Sequence, residues 1–260
     1  MMLDAVAAEW LKLRTVRSTY IIAGVAVVFA ILALLLTVQV VSVWDGMPAE
    51  RRARVRMAEP AILAGWIAGL CAAVLGAVAV TSEYRSGMIR TTLTVMQRRA
   101  PLLAAKAIVV GGAALAAGLM ITFSVFLGTR LIIGDRPITG FQTAISAELP
   151  GIAARGCLVG VYALLAFGLA ALLRSTAGAI VTVVLLWYIV PIATGFLPAP
   201  WDERLSSFTL DALPEQAVGM DNADSVYGAV LPPPAAAAVM LAYALLPPAA
   251  AMLAFRRRDA

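Results

Sequence analysis

Six long apolar stretches, none with a charged side chain in its interior, constrain this chain more than any motif in it. They run roughly Tyr20 to Val43, Pro60 to Val80, Ala107 to Leu127, Gly156 to Leu173, Thr176 to Leu197 and Ala235 to Phe255. Nearly all of the 20 basic and 15 acidic residues lie in the polar segments between them. Each stretch is long enough to cross a hydrocarbon core of about 30 Å at about 1.5 Å per residue. The runs are continuous, whereas the strands of a membrane barrel alternate in hydropathy over about ten residues. The expected fold is therefore all-α: a polytopic membrane protein, a six-transmembrane-helix bundle forming a single transmembrane domain over residues 1–260. A content of 62 % hydrophobic and 13 % charged residues agrees with that class.

The first apolar run follows a polar, helix-like lead of nineteen residues and has no small-residue cleavage site, so no signal peptide is read. Cys71 and Cys157 fall within spans and are expected to be small apolar packing residues. In a six-span arrangement twelve Lys and Arg residues lie on the side of the termini and eight on the other. The positive-inside bias then puts both termini in the cytoplasm. The run from Arg51 to Arg56, on the expected outer side, opposes this locally. The overall charge of +5 reflects a basic rim facing membrane lipids, not a nucleic-acid partner.

Ahead of the first span, within residues 1–19, Leu3, Val6, Trp10 and Leu13 recur at helical spacing while Asp4, Glu9 and Lys12 lie off that stripe. This is the pattern of an N-terminal amphipathic interfacial helix with Trp10 at headgroup depth. It serves as a surface anchor, as a lever touching a cytoplasmic partner, or as both. Between the second and third spans, residues 81–101 hold Tyr84, Met88, Ile89, Leu93 and Met96 on one helical face, with Ser82 as an N-cap and Glu83 in the first turn. On the residues alone this is either a docking helix or an interfacial loop with snorkelling arginines. Residues 198–234 begin Pro198-Ala199-Pro200-Trp201 and end in three prolines. There Trp201, Leu205 and Phe208 share a face, so short external helices dipping back toward the bilayer are expected, against a plain solvated acidic loop.

Gly65 and Gly69, and Gly156 and Gly160, have small-xxx-small spacing, which permits close helix contact and is a weak dimer signal. Pro191, Pro247 and Pro248 should kink the fifth and sixth spans. With no histidine in the chain, Ser-His, Cys-His and His-Glu-x-x-His chemistry is impossible. No Gly-x-x-x-x-Gly-Lys-[Ser/Thr] loop is present either, so catalysis and ATP hydrolysis by this chain are not expected, nor a metal or cofactor. The spans hold no midplane acid of the kind that ion-coupled carriers keep. Thr37, Gln39, Thr122, Ser124, Tyr162, Thr182, Tyr188, Thr194 and Tyr243 remain to line a path.

In layout the chain resembles the membrane-spanning permease subunits of type-2 ABC exporters. The sharpest pieces are Glu9-Trp10-Leu11-Lys12-Leu13-Arg14-Thr15-Val16-Arg17-Ser18-Thr19 before the first span and Ser82-Glu83-Tyr84-Arg85-Ser86-Gly87-Met88-Ile89-Arg90-Thr91-Thr92-Leu93 after the second. These are similar to that family's connecting helix and coupling helix. The resemblance implies a half-transporter in the cell membrane that pairs with a second permease copy, identical or similar. It further implies two separate ATPase subunits, which would carry the ATP and Mg. Glu83, Tyr84, Arg85, Gly87, Arg90 and Thr91 would then contact the ATPase, with Glu9, Trp10, Lys12 and Arg14 on the connecting helix beside them. The apolar spans suit a lipid-like, drug-like or hydrophobic peptide cargo. An ATP-independent channel or secondary carrier, or a scaffold or sensor that moves nothing, are the alternative readings.

Overall fold

Five of the six apolar runs fold as helices longer than their uncharged middles, whereas the fifth stops at Thr194, short of Leu197. The computed structural model describes residues 2–52, 54–85, 99–219 and 231–258. Among these residues the protein is helical, without a β-strand; backbone pairing outside helices is a single isolated bridge between Arg56 and Thr139. An interfacial helix α1 (Met2–Thr15) is followed by α2 (Arg17–Asp45), a single turn α3 (Ala49–Arg52), α4 (Pro60–Arg85) and α5 (Arg99–Ile133). Then come α6 (Ile145–Leu173), α7 (Thr176–Thr194), the short α8 (Trp201–Ser206) and α9 (Leu213–Ala217), and α10 (Pro233–Arg258). Six of them, α2, α4, α5, α6, α7 and α10, are long and apolar enough to cross a membrane. The chain is an all-α, multi-pass membrane protein.

Helix starts follow local chemistry. Pro60 opens α4 and Pro233 opens α10, positions where a missing N–H costs nothing. The Ser175 hydroxyl caps α7 by accepting from the Gly178 amide at 3.1 Å. Between α1 and α2, Val16 alone is extended (φ −82°, ψ 123°), so the chain turns there from the interface into the bundle. The expected second span ends at Val80, but α4 runs on to Arg85. Ser82 is therefore an interior residue of that helix and not the cap of a new one. The third and fourth spans are likewise longer than expected, since the turns that carry Lys106, Arg130, Glu148 and Arg155 are helical. In hydrocarbon a helix is the cheapest way to satisfy the backbone, so charged turns stay helical when their side chains find partners.

The hub is α6, which packs against α4, α5 and α10. Of its apolar window 72 % is buried, against 22 % for α2 and α7. Close approach rests on small residues: a Cβ at Gly76 on α4 would fall on the Ala163 carbonyl of α6, and one at Gly168 on α6 would strike the Pro247 backbone. The Gly65/Gly69 and Gly156/Gly160 pairs serve the same purpose within the chain. A Cβ at Gly69 would lie 2.7 Å from Tyr162, and one at Gly156 would lie 2.8 Å from Leu119. Their weak dimer reading gives way to intramolecular packing. Cys157 also departs from expectation, for it is exposed on the outside of α6 and not packed.

The proline effects differ between the two spans. In α7 the helix widens into a π-turn at Leu185–Ile189 just before Pro191, with the Val190 amide bonded to Leu185. Such a bulge is a common accommodation for a residue that cannot donate. In α10 the helix continues through Pro247 and Pro248.

Candidate functional site

At the end of the bundle that holds α1, three charges are packed together. The buried residues of α1 are Ala5 and Glu9; of the Leu3-Val6-Trp10-Leu13 stripe, Leu3 and Trp10 are exposed, Val6 is half-buried and Leu13 packs on the core. Glu9 is 4 % exposed, 2.7 Å from Lys106 on α5 and 2.7 Å from Lys12 one turn along. Burial alone would raise its carboxyl pKa. The adjacent Lys106 charge and the hydrogen bonds from Lys106 and Lys12 outweigh that and hold it below the ordinary value. This couple ties the interfacial helix to the base of the third span. Close by, the Thr81 and Thr176 hydroxyls meet at 2.6 Å, linking α4 to the start of α7.

The opposite end carries a second set of charges. Arg130 near the end of α5 contacts Glu148 in the first turns of α6 at 2.5 Å and lies over the rings of Phe126 and Phe141. Arg155, one helical stretch further along α6, pairs with Glu215 of α9. Trp66 of α4 donates its indole N–H to Asp211 at 2.9 Å. Burial raises the Asp211 pKa more than the Trp66 hydrogen bond and the Arg155 charge lower it. Glu59, just ahead of α4, is pushed up to about 6, first by burial and then by Glu148; its hydrogen bond from the Ala61 amide and the Arg130 and Arg155 charges offset only part. The Tyr162 hydroxyl is buried nearby with no hydrogen-bond partner among the described residues.

The basic run between α2 and α4 has a local use. Arg52 donates to the carbonyls of Asp45 (2.6 Å) and Met47 (2.8 Å) and stacks on Trp44. It thereby caps the C-terminal end of α2, where cations are favoured. Asp45 in turn takes two bonds of 2.9 Å from Arg136 beyond α5.

Of the expected ATPase-contact residues, Gly87, Arg90 and Thr91 lie outside the described residues, as do Met88, Ile89, Leu93 and Met96. For Glu83, Tyr84 and Arg85 the helical backbone is described and the side chains are not. Among the connecting-helix residues, Trp10 and Arg14 are exposed, Lys12 is partly so, and Glu9 is turned inward. Four of the nine residues expected to line a path bond along their own helices, and Ser124 lies in the wall of a cavity between α2, α4 and α5. Thr37, Thr122, Thr182 and Thr194 each donate to a carbonyl three or four residues back on their own helix. In the segment 198–234, α8 and α9 form; Trp201, Leu205 and Phe208 are exposed while Leu210 and Leu213 enter the core. Met220, Asp221 and Asp224 lie outside the described residues.

Sequence reading misses the ionic pairs: Lys106, Arg130, Glu148, Arg155 and Glu215 fall in expected loops, and Glu9 on the N-terminal helix finds Lys106 on another helix. The available signal was that Lys106, Arg130, Glu148 and Arg155 all lie within about two turns of an apolar run, where a helix can still hold them. Comparison with curated proteins finds no match to the chain. A family model, described as a protein of unknown function (DUF2705), matches residues 25–260. That is well over half of the sequence, so the chain belongs to the DUF2705 family.

Proposed function

We propose that this chain is the permease subunit of an ATP-driven exporter. It would be a half-transporter that pairs with a second permease copy and is driven by two separate ATPase subunits, with a hydrophobic, lipid-like, drug-like or peptide cargo. Both termini lie in the cytoplasm, and the membrane is the cell membrane. The chain itself is not an enzyme. The observation that carries this reading is the Glu9–Lys106 couple, which fixes α1 to the third span, the helix that follows segment 81–101 in the chain. A force applied to that segment passes directly into α4 and α5, between which it runs, and reaches α1 through the buried pair. Such a lever suits a rigid-body switch between two packings of the bundle. The sparsely buried α2 and α7 leave apolar faces that a second copy or lipid would cover.

The test is co-purification. Tagged chain from its native host is expected to bring down an ATP-binding subunit. Glu83→Lys with Tyr84→Ala should weaken that association without loss of membrane insertion. Repeated purification of the unaltered chain free of any such subunit would sink the proposal.

A second reading, a proton-coupled carrier, draws on Glu59, a partly buried carboxyl just ahead of α4 whose pKa is pushed up to about 6 within reach of the Glu148, Arg130 and Arg155 charges. Substrate movement in ATP-free vesicles holding this chain alone, driven by an imposed pH gradient and lost in Glu59→Gln, would favour it over the first.

A further inference from the structure

At the end of the bundle away from α1, apolar packing brings the start of α4 against α5 and α6. Ala61, fully buried, lies in one cluster with Phe126 of α5 and Ile152 of α6, and Leu149 packs on the same cluster. Arg130 stands one turn on from Phe126, and Glu148 and Arg155 flank Leu149 and Ile152. Glu59, two residues before Ala61, is thereby held within reach of the Arg130, Arg155 and Glu148 charges. Beyond them Glu215 of α9 pairs with Arg155, and Asp211 accepts from Trp66.

Two polar groups in this cluster are left open. Glu59 accepts from the Ala61 amide at 3.3 Å through Oε1, and its Oε2 has no bond among the described residues. Arg130 gives Nη1 to the Phe141 carbonyl at 2.5 Å and touches Glu148 with Nη2, yet its buried Nε has no hydrogen-bond partner among the described residues. A buried donor without an acceptor is costly. Since Glu148 matches Arg130 and Glu215 matches Arg155, an ionised Glu59 is a surplus charge with one donor open to it. We propose that Glu59 is a proton-operated tie between α4 and α5: protonated, it only braces the first turn of α4, and on losing its proton it turns Oε2 onto the Nε of Arg130. Such a charge-assisted bond is stronger than a neutral one. The Arg56 backbone already pairs with Thr139, and a Cβ at Gly140 would lie 3.3 Å from the Met57 carbonyl. The tie therefore closes segment 54–59 onto the turn between α5 and α6. It needs neither ATP nor cargo, so its test is separate from those of the two transport readings.

The test is amide hydrogen exchange by mass spectrometry on the full chain in detergent, at about pH 5 and about pH 7.5, either side of the Glu59 titration. Rates are corrected for the intrinsic pH dependence of exchange. Protection of peptides covering 54–61 and 134–144 should rise about fivefold at the higher pH. Glu59→Gln, neutral at both values, should abolish the rise. Arg130→Lys should abolish it too, because lysine keeps the charge beside Glu148 but has no N–H at the place of Nε. Equal protection of the unaltered chain at the two values overturns the proposal even if neither variant folds. A rise that persists in Glu59→Gln assigns the titration to another group and overturns it as well. One that persists in Arg130→Lys shows that ionised Glu59 turns elsewhere, with the same consequence.

Discussion

Glu9 shows how one side chain can change meaning between sequence and structure. Off the apolar stripe of α1 it reads as a solvent-facing acid, yet it is the buried partner of Lys106. Removing it takes from that lysine, 7 % exposed, the carboxylate that lies 2.7 Å away. Breaking a buried pair from one side costs about 3 kcal/mol or more, whereas replacing both members by neutral groups costs far less. Glu9→Ala should accordingly lower the thermal midpoint in detergent by more than Glu9→Gln combined with Lys106→Met. Because the folded-state pKa of Glu9 is lowered, its contribution is present at neutral pH and lost as pH falls through that depressed value. Glu59 works in the opposite sense. Its pKa rises from 4.5 to about 6 on folding, so it stabilises the fold when protonated, and stability should fall as pH rises between those values. The drop is at most about 2 kcal/mol, less whatever its partial exposure to water screens. Glu59→Gln keeps an oxygen for the Ala61 amide and should flatten that part of the pH–stability curve. A curve unchanged by the substitution would place the titration elsewhere.

The elements themselves were legible because hydropathy over twenty residues is a strong signal, and all six spans stand where the apolar runs are. Their ends were not. A charge is read as loop unless its partner is known, and Lys106, Arg130 and Arg155 find theirs on other helices. The π-turn of α7 was legible only as a proline somewhere in a span. Which glycine faces a neighbour was also hidden, since spacing reveals small residues and not what they meet. Gly76 and Gly24 make the difference measurable. A Cβ at Gly76 would collide with the α6 backbone, while one at Gly24 on α2 meets nothing within 4 Å. Gly76→Leu should therefore destabilise the bundle by about 1–3 kcal/mol through overpacking. Gly24→Leu should be neutral within about 0.5 kcal/mol. Equal effects of the two on thermal unfolding in detergent would mean that α4 and α6 do not meet as closely as they do here.

For the whole molecule, the two ends of the bundle differ in kind, and that difference bears on orientation. One end has a short ionic tie between α1 and α5 and leads into the segment 81–101; the other is braced by Arg130–Glu148, Arg155–Glu215 and Arg136–Asp45. The basic residues Arg51 to Arg56, which argued against a cytoplasmic N-terminus, lie beside this second set. There Arg52 is engaged in capping α2, and the Arg56 backbone pairs with Thr139. Arg52 keeps its charge while it caps a helix end and covers a ring, so the run still opposes the orientation locally, and the expectation rests on the excess of basic residues on the α1 side as a whole. The expected orientation puts that side in the cytoplasm, which labelling can decide. In a background of Cys71→Ala and Cys157→Ala, a membrane-impermeant maleimide applied to intact cells should modify Arg54→Cys. It should modify Thr92→Cys only after permeabilisation. The reverse pattern would turn the molecule over, put segment 81–101 out of reach of any cytoplasmic ATPase, and end the exporter reading. Labelling of both positions in intact cells would mean that α4 and its neighbours do not cross the bilayer as six alternating spans require.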